Sequence, residues 1–185
     1  MKILKKQPIY PARNILSINK LYYGGTDVAE KPDLRRLGEP KDFGWGFYCT
    51  TIEEQARQWA SEKSSQRGVP GVVSVYTWNP IVLNTLRCLE FEDMATEEGV
   101  QKWAECCVMN KISQEQSHDF DIIAGSLAFY EFHAMLFGWA HDPSDELFEA
   151  IKREIKHSSN LATQQIVFCT KKAIDVLTFQ SSYSV

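Results

Sequence analysis

The residues best suited to chemistry lie in one ten-residue stretch, DFGWGFYCTT, residues 42–51. Gly44 and Gly46 permit a tight turn or the close approach of another group to the backbone. Phe47 and Tyr48 offer flat ring faces on which a planar ligand could stack. The threonine hydroxyls that follow can bind a ligand or cap a helix. The stretch is therefore typical of the floor of a ligand pocket.

A purely structural interpretation explains the same residues. In it, residues 42–51 form a tight turn that leads into a core strand, and Thr51 caps the next helix. Glu54, three residues later, would complete a capping box. Short motifs often arise by chance, so the rest of the chain must separate the two interpretations.

Other polar residues give weaker signals. The histidines share no spacing typical of metal ligands, so we predict no metal site. Glu90 and Glu92 share one face of a strand and could imitate the paired acids of a glycosidase, but a solvated face opposite Phe91 is the favoured interpretation. Lys63 and Arg67 are interpreted as solvated charges on the protein surface.

The composition is that of an ordinary globular protein. The chain has 185 residues, of which 44% are hydrophobic and 24% charged, and this favours a single domain. We expect residues 1–18 to be a lead-in and residues 19–185 to form the domain. The net charge of −4 argues against broad binding to nucleic-acid backbones.

Cysteine usage and hydropathy predict a cytoplasmic protein. The five cysteines are odd in number and form no C-x-x-C spacing, so neither a disulfide framework nor a zinc site is indicated. No apolar run approaches the roughly 18 residues that span a bilayer. The basic N-terminus is interrupted by Pro8 and Pro11, which is unlike a signal peptide.

Hydrophobic periodicity predicts about seven short strands with helices between them. The spacing is irregular, which favours an α+β architecture with a mixed or largely antiparallel sheet. The predicted strands lie near residues 20–26, 46–50, 72–78, 87–91, 120–125, 164–169 and 176–179. The predicted helices lie near residues 52–63, 96–111, 127–140 and 144–157.

Four motifs occur in a fixed order and together resemble a known family. They are LYYGGT at 21–26, DFGWGFYCTT at 42–51 with EQARQWA at 54–60 behind it, FDIIAGSLA at 120–128, and QIVFCT at 165–170. This set resembles a bacterial family of unknown function that looks like a branch of the ADP-ribosyltransferase-like superfamily. Four ordered motifs are far more specific than any one of them.

The resemblance implies a fold and a reaction. The fold is a pair of small split sheets, with peripheral helices, around a cleft that holds NAD. The reaction breaks the bond between nicotinamide and ribose and passes ADP-ribose to an acceptor, through an oxocarbenium-like transition state similar to that of glycoside hydrolysis. NAD is then a substrate, no metal is needed, and the acceptor is a protein, a nucleic acid or a small molecule. The resemblance further implies a toxin with an antitoxin protein as its partner, and no membrane.

The resemblance also implies site residues. In the poly-ADP-ribose polymerase pattern, the ribose-binding His falls on Tyr23, the Tyr that stacks on nicotinamide falls on Tyr48, and the catalytic Glu falls on Gln164 or Gln165. The surrounding positions that would hold the cofactor are Tyr22, Gly24, Gly25, Thr26, Gly46, Phe47, Thr50 and Arg35. Of these, Arg35, together with Arg36, would contact the pyrophosphate of NAD.

Two of these positions depart from the pattern. Tyr23 replaces the His, and a glutamine replaces the Glu. A glutamine can hydrogen-bond a ribose hydroxyl but cannot act as a base toward an acceptor. The alternative function is therefore a catalytically degenerate module on the same fold, which binds a nucleotide or a partner.

Overall fold

Two β-sheets and five α-helices make up the described part of the computed structural model, which covers residues 15–34, 40–91, 96–112, 118–128, 130–157 and 164–185. The strands are β1 (Lys20–Gly25), β2 (Phe47–Cys49), β3 (Val72–Thr77), β4 (Cys88–Glu90), β5 (Ile122–Ser126), β6 (Gln164–Phe168) and β7 (Thr178–Ser184). The helices are α1 (Glu53–Arg67), α2 (Glu97–Ile112), α3 (Tyr130–His141), α4 (Asp145–His157) and α5 (Lys171–Ile174), with 3₁₀ turns at Ile15–Ser17 and Pro80–Thr85. The predicted α+β class is confirmed.

The two sheets differ in strand direction. The first has the order β1-β3-β7 and is antiparallel throughout. The second has the order β2-β6-β5-β4, in which only the β4–β5 pair is parallel. The sheets meet where the backbones of Tyr22 and Thr50 exchange two hydrogen bonds of 2.8 and 2.9 Å. The prediction of mixed and antiparallel pairing is thus confirmed.

One hydrophobic core lies between the sheets and another lies between the second sheet and the helices. Leu21 and Tyr76 of the first sheet share the inter-sheet core with Phe47, Ile166 and Phe168 of the second. The other core contains Tyr48 and Val167 together with Trp103 of α2 and Leu136 of α3. Because side chains alternate along a strand, successive residues of β2 and β6 enter different cores.

Helix α1 packs closely on β1. A Cβ atom at Gly24 would lie 2.1 Å from the carbonyl oxygen of Ala56, so the helix backbone can approach only because this residue is glycine. Ala56 and Ala60 are fully buried at the contact, whereas the neighbouring Trp59 is half-buried. The helix ends at Arg67 and is capped by Gly68, which has a φ of 67°.

The predicted N-cap of α1 is wrong. The cap position is Ile52, which has no side-chain cap hydrogen bond, and Thr51 instead donates its hydroxyl to Oε1 of Gln164 at 2.7 Å. The Thr50 hydroxyl accepts from the Ile52 N–H at 3.1 Å. The Thr51 hydroxyl therefore hydrogen-bonds to β6 instead of capping the helix as the local sequence predicts.

The solvated face predicted for Glu90 is also wrong. Its carboxylate accepts the backbone N–H groups of Ile15 and Leu16, which are buried in the inter-sheet core. The end of the predicted lead-in thus packs against β4. Glu92 lies outside the described residues.

Three chemical features of the fold bear on function. All five cysteines are free thiols. In the described residues, no helix is both long and apolar enough to span a membrane. Those same residues contain no cluster of three or more histidine, cysteine or acidic side chains that could hold a metal ion.

Candidate functional site at the sheet junction

The first, second and last sequence motifs meet where the sheets join. Tyr22 of the first motif pairs with Thr50 of the second through the backbone bridge. Gln55 joins the second motif to β6 at the residue just before the last motif, because its Nε2 donates to the Gln164 carbonyl at 3.0 Å and its Oε1 accepts the Gln164 N–H at 3.1 Å. The Thr51 hydroxyl adds a third bond to Gln164. Gln55 and Gln164 are 109 residues apart in sequence, yet they are in direct contact at this junction.

Phe47 faces the inter-sheet core and already has ring partners. The Tyr23 ring stacks on it with a centroid distance of 4.8 Å, and the Tyr76 ring meets it edge-on at 5.6 Å. Phe47 is only 6% exposed. A planar ligand could therefore reach the Phe47 ring only if Tyr23 moved aside.

Tyr48 faces the opposite core and closes the glycine turn. Its hydroxyl donates to the Gly44 carbonyl at 2.7 Å and accepts the Phe43 N–H at 3.2 Å. The ammonium of Lys41 lies 4.7 Å from the ring centroid. Burial raises the pKa of the Tyr48 hydroxyl well above its usual value, so it stays a neutral donor. As they stand, Phe47 and Tyr48 cannot contact the two faces of one ligand ring.

Gln164 and Gln165 also point to opposite sides of β6. Gln165 is 1% exposed and donates its amide to Asp42 at 2.9 Å and to the Ser126 carbonyl at 3.2 Å. Gln164 lies opposite Thr51, on the side of the sheet that also carries Phe47. The two residues therefore stand in different environments, although the sequence offered them as equivalents.

Asp42 is the residue that the sequence interpretation overlooked. It is 3% exposed, yet its carboxylate lies 3.1 Å from His133 Nε2 and 3.3 Å from Lys111 Nζ, and accepts the Ala128 N–H at 2.9 Å. Burial alone would raise the pKa of this carboxyl, but His133, Lys111, Ala128 and Gln165 together lower it. The only sequence signal for this role is that an aspartate opens the glycine-rich motif.

The small residues of the predicted site act in packing. A Cβ at Gly25 would lie 2.7 Å from the Tyr23 ring, and one at Gly46 would lie 2.6 Å from Val167 Cγ1. Thr50 is fully buried and donates to Gln55 at 3.2 Å. Thr26 is partly exposed, and Arg35 lies outside the described residues, as does Arg36.

Lys63 is not the solvated charge that the sequence suggested. It is half-buried, its ammonium donates to the Gly24 carbonyl at 2.5 Å, and the same nitrogen lies 5.0 Å from the centroid of the Tyr23 ring. Burial, and then the positive charges of Lys41 and Arg67, lower its pKa to about 8. The first motif therefore has a half-buried cation against it.

Comparison with known proteins identifies the family. The model of DUF3990, a protein family of unknown function, matches residues 19–179. Neither the curated proteins nor the solved structures include a match to this chain. The matched span contains all four ordered motifs and the whole junction of β1, β2 and β6. The chain therefore belongs to the DUF3990 family of proteins of unknown function.

Proposed function

We propose that this chain is an ADP-ribosyltransferase-like protein that binds NAD at the junction of β1, β2 and β6. The observation that carries the proposal is the convergence of three distant motifs there. Tyr22 and Thr50 join the first two motifs, and Gln55 and Thr51 join the second to Gln164. These are the motifs whose order resembles the ADP-ribosyltransferase pattern.

The proposed reaction is a displacement at the ribose. The bond between ribose C1′ and the nicotinamide nitrogen breaks, and nicotinamide leaves with the bonding electrons. The acceptor oxygen or nitrogen then bonds to C1′ and gives its proton to solvent. Since a glutamine amide cannot take that proton, the chain's contribution is to hold the ribose and nicotinamide as positive charge develops on the sugar.

The geometry favours Gln164 over Gln165 at the catalytic position. Gln165 uses its amide to satisfy Asp42 inside the core, and this is a structural task. Gln164 lies beside Thr51 on the Phe47 side of the sheet. Tyr23, which is half-buried and stacks on Phe47, is the ring that a nicotinamide would meet first.

Nicotinamide release from NAD tests the proposal directly. We expect release by the purified chain, supplied with a bacterial lysate as the source of acceptors, and a loss of at least about tenfold in Gln164→Ala, which corresponds to ~1.4 kcal/mol of transition-state binding. Gln58→Ala is the matched control, because Gln58 is an exposed residue on α1 whose amide donates to Glu62 at 2.9 Å, away from the sheet junction. Absence of release by the wild-type chain would contradict catalysis.

A binding module is the second candidate, and one observation favours it. Tyr23 and Gln164 stand where the pattern has His and Glu, so the groups that would drive turnover are changed. Such a module would be stabilised by NAD without releasing nicotinamide, by ~2.7 kcal/mol at a ligand concentration 100 times Kd. The toxin role belongs to the first candidate and predicts that expression of the active chain stops bacterial growth.

A further inference from the structure

A cluster of basic side chains surrounds the end of β1. Lys63 donates to the Gly24 carbonyl, and Arg67, one helical turn later on α1, donates to the Thr26 hydroxyl at 3.1 Å. Lys41, above the Tyr48 ring, is close enough to Lys63 to lower the pKa of its ammonium. Helix α1 and the turn before β2 therefore bring three cations to one end of the sheet junction.

These three cations have no carboxylate within ion-pair distance among the described residues. Lys102 and Lys171, by contrast, pair with Glu98 and Asp175 at 2.7 Å each. The cluster thus concentrates positive charge, and the carboxylates of Asp42 and Glu62 act on Lys41 and Lys63 without forming ion pairs with them.

Such an arrangement is unfavourable in the unliganded protein. A half-buried ammonium loses hydration, and its contacts at Gly24 and Tyr23 replace only part of that loss. A ligand with two linked negative groups would supply the missing charge. Side chains four residues apart on a helix lie about 5–6 Å from one another, which suits neighbouring phosphates.

We propose that Lys63, Arg67 and Thr26 form a binding site for the pyrophosphate group of a dinucleotide. The identity of the ligand rests on the proposed function, whereas the anion site rests on the cation cluster alone. Lys41 lies at the edge of the site and adds to its positive potential. Asp27, which accepts the Thr26 hydroxyl at 3.3 Å, is the carboxylate that the ligand would meet there.

The pH dependence of binding provides a specific signature. Because the pKa of Lys63 is about 8, its charge is mostly present at pH 7 and mostly lost at pH 9. Burial raises the pKa of the Cys49 thiol well above its usual value, so it stays neutral across this range. The groups that face Lys63 are Cys49 and Tyr23 on the strands, Lys41 in the turn before β2, and Glu62 and Arg67 on α1.

The experiment is a calorimetric titration of the full chain with ADP-ribose at pH 7 and pH 9. The pyrophosphate of this probe keeps the same charge at both values. We expect affinity to fall about tenfold at pH 9, because about one molecule in ten then has Lys63 charged. Lys63→Arg should bind at both pH values with little change, since arginine stays protonated. Lys63→Met should bind about tenfold more weakly at pH 7 and show no such pH dependence.

Lys102→Met is the control, since Lys102 is exposed and paired with Glu98. Wild-type affinity that is equal at the two pH values, wild-type failure to bind ADP-ribose, or full binding by Lys63→Met would each overturn the proposal. If Lys63→Met does not fold, the pH dependence of Lys63→Arg binding tests the proposal instead.

Sulfate, whose charge is also constant, separates an anion site from a dinucleotide site. If sulfate stabilises the chain in a Lys63-dependent way but ADP-ribose does not bind, the cluster binds simple anions and the dinucleotide proposal is wrong. If ADP-ribose binds in a Lys63-dependent way but the chain releases no nicotinamide from NAD, the pyrophosphate site is supported and the proposed transferase activity is contradicted.

Discussion

At the scale of single residues, Asp42 organises the part of the molecule behind the glycine turn. A carboxylate that is 3% exposed needs several donors, and it receives them from α2, α3, the segment after β5, and β6. These contacts hold the turn of the second motif against the last motif. The opening aspartate of the motif therefore has a structural reason that is independent of any ligand.

Gln165→Ala tests this arrangement. We expect a loss of about 2–3 kcal/mol in the free energy of unfolding, because the substitution leaves Asp42 short of one donor and opens a cavity at a fully buried position. Urea unfolding followed by tryptophan fluorescence measures it. Gln58→Ala, at an exposed position, should change stability by less than ~0.5 kcal/mol. Equal stabilities for the two variants would show that the amide of Gln165 does not support Asp42.

The sequence predicted only in part which residues lie together in the candidate site. The motifs indicated the aromatic and glutamine positions, but the register of β2 against β6 distributes them between two cores. Phe47 and Tyr48 are neighbours in sequence and separate in space for that reason. The choice between Gln164 and Gln165 has the same origin, because a one-residue step along a strand reverses the direction of the side chain.

At the scale of elements, the contact between α1 and β1 determines the shape of the junction. Gly24 lets the helix backbone approach, and Ala56 and Ala60 keep the facing surface of the helix small. Lys63 then reaches the β1 carbonyl from the next turn of the helix. A larger side chain at the contact would separate the helix from the strand.

Gly24→Ala should therefore be strongly destabilising. The new Cβ would lie 2.1 Å from the Ala56 carbonyl oxygen, so we expect a loss of about 3 kcal/mol or more from overpacking against backbone. Gly68→Ala is the matched comparison, because nothing lies within 4 Å of its Cβ and only its φ of 67° opposes the change. That variant should lose about 1 kcal/mol. Thermal unfolding of both proteins provides the test, and a milder effect at Gly24 than at Gly68 would contradict the packing argument.

Most elements were predictable because their signals are local. Alternation predicted β3, and the acidic start and basic end of its sequence predicted α4. The structure extends β7 to Ser184, beyond the predicted end at residue 179, because residues 181–184, which are three serines and a tyrosine, pair with β3. Backbone pairing of this kind leaves no hydrophobic pattern, so periodicity could not reveal it.

At the scale of the whole molecule, the two sheets share one core. Leu21 and Tyr76 from the first sheet contact a cluster that contains Phe47, Ile166 and Phe168 from the second. Neither sheet can lose this core without exposing apolar surface on the other. The Tyr22–Thr50 bridge adds a direct backbone link.

We therefore expect the chain to unfold in a single cooperative transition. Urea curves from far-UV circular dichroism, which follows both sheets and the helices, should coincide with those from tryptophan fluorescence. Trp78 packs in the inter-sheet core and Trp103 in the helix-side core, so fluorescence samples both. Two separated transitions would mean that the cores are energetically independent.

The sequence by itself determined the α+β class, the approximate position of most elements and the order of the motifs, because helix and strand periods and turn residues act over a few neighbouring positions. Only the tertiary structure decided which motif residues share a locality, that Thr51 serves β6 rather than the helix end, and that Lys63 is desolvated beside Tyr23. Those outcomes depend on strand register and on burial by segments distant in sequence, which no local pattern contains.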